Sequence, residues 1–300
     1  MIKNTPRPIN HLVIIGVGLI GGSFSLAIQR NTQIERITGV GRNQKNLECA
    51  RKRGIIQYCS QDARKAVCDA DVVFIAAPVA SYADILAQIS DVLPASAIVT
   101  DAGSTKQSVI NDAHKQLKNI EYFVPAHPLA GTEQSGAGAA FADLFEDRWC
   151  ILTPEENITD PVACQTVSDW WRACGANVMA MHPSEHDDLL AAVSHLPHLA
   201  AYAVVNTVSK LKKGTHDPFQ FAAGGFRDFT RIASSSPTMW RDIALCNRDA
   251  LLHKLDALKK ELDTMHQALK ERDGDSLLVQ FEAARLARET WLKAYQSEHN

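Results

Sequence analysis

The stretch His11-Leu12-Val13-Ile14-Ile15-Gly16-Val17-Gly18-Leu19-Ile20-Gly21-Gly22 decides how this chain reads. HLVII is a short run rich in branched apolar residues, which suits a strand buried on both faces. A GxGxxG pattern follows directly, then a helical segment to Arg30 and a second strand-like run, Ile37-Thr38-Gly39-Val40. Strand, turn, helix and strand in that order are the setting in which GxGxxG marks a dinucleotide-binding turn. Gly16 permits the tight turn, Gly18 lets a pyrophosphate reach the backbone, and Gly21 lets the helix pack on the strand. Leu19 and Ile20 open the helix, whose free amides and partial positive charge suit phosphates. The bland reading is a glycine turn with no ligand; the flanking elements favour dinucleotide binding.

Outward from this unit the alternation continues. Helical patterns cover 45–53, 81–93 and 161–174, and strand patterns cover 71–76, 97–100, 121–124, 149–153 and 177–181. This predicts an α/β Rossmann-type N-terminal domain with a mostly parallel sheet over residues 1–182. No strand pattern recurs afterwards. Residues 183–300 are expected to form an all-α C-terminal domain, helical over 184–213 with a break at Pro197, and over 261–295 with a break at Gly274. Leu251, Leu255, Leu258, Leu262, Met265 and Leu269 form a narrow apolar seam of coiled-coil type, serving either intrachain packing or a helix–helix dimer contact.

Composition narrows the class. Of 300 residues 46% are hydrophobic and 22% charged, with a net charge of −3, so no basic field favours nucleic acid or an anionic membrane. Seven scattered cysteines without a CxxC pair point to reduced thiols. The N-terminal residues lack a signal-peptide core and no run is expected to span a membrane, so the cytoplasm is the expected location.

Ligands of open parallel sheets sit beyond the carboxyl ends of the strands. The second strand ends at Gly41-Arg42-Asn43, where an NAD site usually carries an acid; Arg42 instead suits a 2′-phosphate, which favours NADP over NAD. Pro78 and Ser104 end later strands and are candidate nicotinamide-side contacts, although Ser104 or Thr105 could equally cap the next helix. His127, in Val124-Pro125-Ala126-His127-Pro128, is a candidate acid/base group facing a glycine-rich loop. His182 with His186, and His195 with His198, have spacings that invite a metal reading, but no HExxH or CxxC pattern completes one; packing or a hydrogen bond to ligand suits them better. In Gly224-Gly225-Phe226-Arg227-Asp228-Phe229-Thr230-Arg231, Arg227 and Arg231 share a helix face that the two phenylalanines should half bury. It is either a surface ion-pair face or a clamp for an anionic substrate.

Together GVGLIGGS, DAGSTK, AHPLAGTEQSG, SHLPH and GGFRDFTRIASSSPTMWRDI, spanning Gly16 to Ile243, resemble the prephenate/arogenate dehydrogenase family of tyrosine biosynthesis in its monofunctional form. The resemblance implies oxidative decarboxylation of a cyclohexadienyl acid with hydride transfer to NAD(P). It implies that His127 accepts the proton of the ring hydroxyl, supported by Ser104, and that Arg231 binds a substrate carboxylate. It places His198 in the substrate and nicotinamide pocket, Thr132 and Glu133 in a substrate or effector loop, and Arg227 and Asp228 at the pocket mouth. It also implies a homodimer through the helical domain and no metal. The rivals are another hydroxyacid dehydrogenase with a Rossmann unit and helices, which would need a lysine motif that Lys210, Lys212 and Lys213 do not supply, and a non-catalytic dinucleotide-binding regulator.

Overall fold

The computed structural model describes residues 6–211 and 216–299, so Lys212 and Lys213 lie outside the described residues. By contacts the chain divides into two units, Met1–Leu251 and Leu252–Asn300.

In the first unit, β1 (Ile9–Ile15), β2 (Ile34–Val40), β3 (Tyr58–Ser60), β4 (Val72–Ile75), β5 (Ile98–Asp101) and β6 (Phe123–Val124) form one parallel sheet in the order β3-β2-β1-β4-β5-β6. The helices α1 (Leu19–Ile28), α2 (Gln44–Lys52), α3 (Ala63–Val67), α4 (Tyr82–Ile89) and α5 (Gln107–Gln116) connect these strands. Central β1 explains why its sequence reads as continuous rather than alternating. Leu12 and Ile14 enter one core and Val13 and Ile15 the other, so both faces are covered. Each such fully buried side chain contributes about 1.5–3 kcal/mol. The first core is closed by aromatic packing of Phe24 on Phe74 (ring centroids 4.3 Å apart) and on Trp171 (4.9 Å). Trp171 belongs to α6 (Pro161–Ala173).

The last strands differ from expectation. Residues 121–124 yield only the two-residue β6 after a 3-10 turn, Ile120–Tyr122. Pro125, without an N–H, ends the ladder. The chain then enters a second, three-stranded sheet: β7 (Ala126–Pro128) runs antiparallel to β8 (Trp149–Leu152), which runs parallel to β9 (Asn177–Ala180). β8 and β9 are therefore not the closing strands of the main sheet.

Three helical expectations also change. Over 183–211 the break is not at Pro197. α7 (Pro183–Leu190) passes through a π turn, Ala191–His195, into α8 (Leu196–Lys210), and Pro197 directly follows the widened turn, which accommodates a residue with no N–H. Among the described residues Pro183–Lys210 is the one helical run long and apolar enough to cross a membrane by length and composition, contrary to the expectation of no such run. It carries the buried polar side chains His186, Asp187 and His195. α9 (Gly224–Thr230) is not half buried, because none of its residues is buried and Phe229 is 50% exposed. Arg231 then opens a 3-10 turn. α10 (Pro237–Cys246) follows and leads into α11 (Arg248–Glu271).

Within the second unit the helices are the remainder of α11 and α12 (Gly274–His299). The break between them is made by Arg272, at φ 58°, rather than by Gly274. Leu262 and Leu269 of the seam are exposed, as are Leu278, Phe281, Leu286 and Trp291 of α12.

Candidate functional site

The glycine loop has the form that a pyrophosphate site requires. Gly16 has φ 100°, and a Cβ there would stand 2.4 Å from the Ala76 carbonyl oxygen. A Cβ on Gly21 would stand 2.2 Å from the Gly16 carbonyl oxygen. A Cβ on Gly18 would meet nothing within 4 Å. Gly16 and Gly21 are thus dictated by packing, whereas Gly18 opens onto free space above the helix start. α1 begins there at Leu19 and Ile20 with no side-chain cap and no acid in its first turn, leaving its amides for an anion. Asn46 braces the loop, donating from Nδ2 to the Val17 carbonyl (2.7 Å). These features fit a dinucleotide phosphate.

The other cofactor-side candidates share this edge. Arg42 is exposed beyond β2, its backbone carbonyl held by Gln61. Pro78 is exposed beyond β4, and Ser104 is half-buried beyond β5. Among the described residues the Ser104 side chain makes no hydrogen bond to the protein, so it neither caps α5 nor bonds His127. Thr105 does not cap α5 either; its hydroxyl pairs with Ser108 at 2.8 Å.

His127 is the middle residue of β7, 8% exposed. Its Nδ1 lies 2.8 Å from Nε2 of His186, and His186 Nδ1 lies 2.8 Å from Asp187 Oδ1. The Asp187 carboxylate also accepts the two free amides at the start of α5, from Lys106 (2.8 Å) and Gln107 (2.9 Å). It is this distant carboxylate that caps α5. Asn247 Nδ2 lies 2.8 Å from the Asp187 carbonyl and 3.1 Å from His195 Nδ1.

A buried ion pair holds β7 in place. Lys106 Nζ, fully buried, donates to Asp101 Oδ2 (2.6 Å) and to the Ala126 carbonyl (2.7 Å). Asp101 also accepts the amides of Ala126 (2.9 Å) and Gly103 (2.7 Å). Both charges are therefore paired and hydrogen-bonded, which is the condition for keeping them in the interior.

Burial is the largest cause holding these imidazoles neutral. His127 is pushed well below the usual histidine range by desolvation, then by His186, Lys106 and His195. His186 is lowered by desolvation against the opposing pull of Asp187. His195 is lowered to about 4 by desolvation. An unfolded chain binds protons at these positions near pH 6.5, whereas the native protein binds one at His195 only near pH 4. Between those values the unfolded state binds more protons, so stability falls as pH falls. His195 alone should remove about 2 kcal/mol by pH 5. Urea midpoints at pH 7.5 and 5 check this; an equal or higher midpoint at pH 5 would contradict it.

The second cluster lies on α8 to α10. The His198 ring stacks on Trp240 with centroids 3.6 Å apart, and its Nδ1 donates to the Ser194 carbonyl (2.8 Å). His198 is lowered by desolvation, against the opposing hydrogen bond to the Ser194 carbonyl, and the positive charge of Arg231 lowers it further. Among the described residues Arg231 has no ion-pair partner and is exposed. Arg227 is engaged instead with its neighbour Asp228 at 3.1 Å, both well exposed. Thr132 and Glu133 lie on an exposed loop after β7, where the Thr132 hydroxyl accepts the Gln134 amide. The histidines with ligand-like spacing have other partners: His182 bonds Ser184, while His186, His195 and His198 are engaged as above.

Sequence reasoning brought out His127 and the glycine loop but not the Asp187–His186 chain behind His127, nor the Lys106–Asp101 pair. The available signal was the adjacent pair His186-Asp187 in the helical segment that leads into SHLPH.

A glycine turn shaped for a phosphate at the carboxyl edge of the main sheet, in one unit with a buried, neutral histidine, defines a dinucleotide-dependent oxidoreductase of the α/β class. Residues 24–180 match the family model described as prephenate dehydrogenase, nucleotide-binding domain, and residues 182–283 match prephenate dehydrogenase, dimerization domain. The chain is 37% identical to the cyclohexadienyl dehydrogenase of Zymomonas mobilis, over 93% of this chain and 94% of that one. It is 36% identical to the prephenate dehydrogenase of Bacillus subtilis, over 91% of this chain and 74% of that one. Its fold is similar to that of the A. aeolicus prephenate dehydrogenase solved with hydroxyphenyl propionate and NAD+, with TM-score 0.88 and 32% identity, covering 94% of this chain and 98% of that one. The chain belongs to the prephenate dehydrogenase family.

Proposed function

We propose that this enzyme carries out the oxidative decarboxylation of prephenate, arogenate or both, with His127 as the proton acceptor. The observation that carries the reading is the hydrogen-bond direction at His127. Asp187 can only accept, so His186 Nδ1 carries the proton and His186 Nε2 is a lone pair. His127 Nδ1–H therefore donates to His186, which leaves His127 Nε2 unprotonated. A neutral imidazole with Nε2 free is the form that takes a hydroxyl proton near pH 7. When bound, the nicotinamide supplies the hydride acceptor. As the hydroxyl proton moves to His127 Nε2, electron density moves from the oxygen to the carbon that loses hydride, and departure of CO2 leaves an aromatic ring.

Ser104, half-buried and without a protein partner at the same edge, is suited to hydrogen-bond the ring hydroxyl. Arg231, exposed and without an ion pair among the described residues, is suited to a substrate carboxylate, with the half-buried His198 lining the substrate pocket. Thr132, Glu133 and Arg227 belong to the exposed rim on this reading. Gly16, Gly18, Leu19, Ile20, Gly21 and Pro78 line the cofactor, and the exposed Arg42, with no acid at the end of β2, favours NADP over NAD. Residue 182 divides the cofactor-binding part from a helical part, and the exposed apolar residues of α12 support a homodimer through the helices. Seven free thiols suit the cytoplasm.

Steady-state turnover of prephenate and arogenate with NAD+ and NADP+, followed at the reduced-nicotinamide absorbance, tests the reading. We expect turnover of at least one substrate and a higher kcat/KM with NADP+; no turnover in any combination would overturn the reaction. Arg231→Ala should raise the substrate KM by about 10- to 100-fold, the equivalent of ~1.5–3 kcal/mol for a charged hydrogen bond, and leave the cofactor KM in place. Equal effects on both would count against a carboxylate role.

A further inference from the structure

We propose that Asp187 and His186 act as positioning residues that fix the tautomer of His127, so that the carboxylate capping α5 also switches the base on. The proposal rests on the reading of His127 as proton acceptor. The chain is continuous: the amides of Lys106 and Gln107 hold Asp187 through both oxygens, Asp187 Oδ1 accepts from His186 Nδ1, and His186 Nε2 accepts from His127 Nδ1. Asp187 is 5% exposed, His186 0% and His127 8%, so water is largely excluded as a substitute partner. Asn247 fixes the backbone of the same residue through the Asp187 carbonyl. Of the groups in this chain only Asp187 lacks a proton to give. It therefore sets the direction of every hydrogen bond that follows. When His127 takes up a proton, the charge of Lys106 opposes it, and Asp187 is the anion at the end of the relay.

In Asp187→Asn the side-chain oxygen keeps the Gln107 amide while the NH2, in the place of Oδ1, gives up the Lys106 amide and donates to His186 Nδ1. His186 then carries its proton on Nε2 and donates to His127 Nδ1. His127 is left protonated at Nε2 and cannot act as base. In His186→Gln the side-chain oxygen can accept from His127 Nδ1–H directly, whatever occupies position 187.

The experiment is a double-mutant cycle of Asp187→Asn and His186→Gln, with kcat and the KM of substrate and cofactor for each. We expect Asp187→Asn to lower kcat by about 10⁴-fold with little change in cofactor KM, the scale of a wrong-tautomer histidine. His186→Gln should lose no more than about tenfold, and the double variant should match His186→Gln. That non-additivity is something a helix cap alone would not produce. His186→Leu, which leaves the α5 cap in place but removes the acceptor, should lose activity that His186→Gln retains. This comparison decides the matter if Asp187→Asn fails to fold. Additive losses in the double variant, kcat of Asp187→Asn within threefold of wild type, or equal activity of the Leu and Gln variants would each overturn the relay. An active His127→Asn enzyme would overturn the base assignment itself, whereas a dead His127→Asn enzyme with an additive cycle removes the relay alone.

Discussion

His127→Asn should lower kcat by about 10²–10⁴-fold while the cofactor still binds. Asparagine can keep a hydrogen bond towards His186, so β7 has no reason to move. It cannot take up a proton near pH 7, and that is the function the free Nε2 provides. The glycine loop at Gly16–Gly21 has no side-chain contact with His127 among the described hydrogen bonds, so dinucleotide affinity should be unaffected. Cofactor titration by fluorescence together with steady-state kcat separates the two effects. A variant turning over within threefold of wild type would remove His127 from the chemistry.

The second large effect concerns stability. Lys106→Met should destabilise the protein by about 3–5 kcal/mol, the usual cost of breaking a buried ion pair from one side. The methionine leaves the Asp101 carboxylate fully buried with two backbone amides but no counter-charge, and it leaves the Ala126 carbonyl without its donor. Ala126 precedes His127, so kcat should fall along with the melting temperature. Asp101→Asn/Lys106→Met, which removes both charges, should recover part of the stability. Thermal and urea unfolding measure this; a change below ~1 kcal/mol for Lys106→Met would mean that the pair is not the support described.

How much of this was legible in the sequence follows from the range of each interaction. The loop Gly16–Gly21 and its flanking elements are local, and the glycine positions answer to contacts with Ala76 and Gly16 itself, so pattern and structure agree. The second sheet was hidden because one residue without an N–H, Pro125, moves the chain out of the main ladder, and strand periodicity carries no information about which sheet a strand joins. The relay was hidden because His186 is 59 residues from His127, and only the tertiary fold makes them neighbours. Helix capping at Ser104 or Thr105 was a sound local expectation, but Asp187 took that place from 80 residues away. The half-buried aspect expected of α9 failed because an apolar residue states a preference for burial without naming what covers it.

The π turn at Ala191–His195 has a rotational consequence. A continuous α-helix turns about 100° per residue, so the twelve steps from His186 to His198 would leave those side chains about 120° apart around the axis. A π bulge takes up one residue without its share of rotation, which brings them to within about 20°. The same correction moves His195 from about 80° to about 20° from Asp187, the two residues that Asn247 bridges. The turn therefore works as a phase shifter. It lets one helical run present His186 in line with His198, which stacks on Trp240, and Asp187 in line with His195, alignments that those same positions would not have in a regular helix.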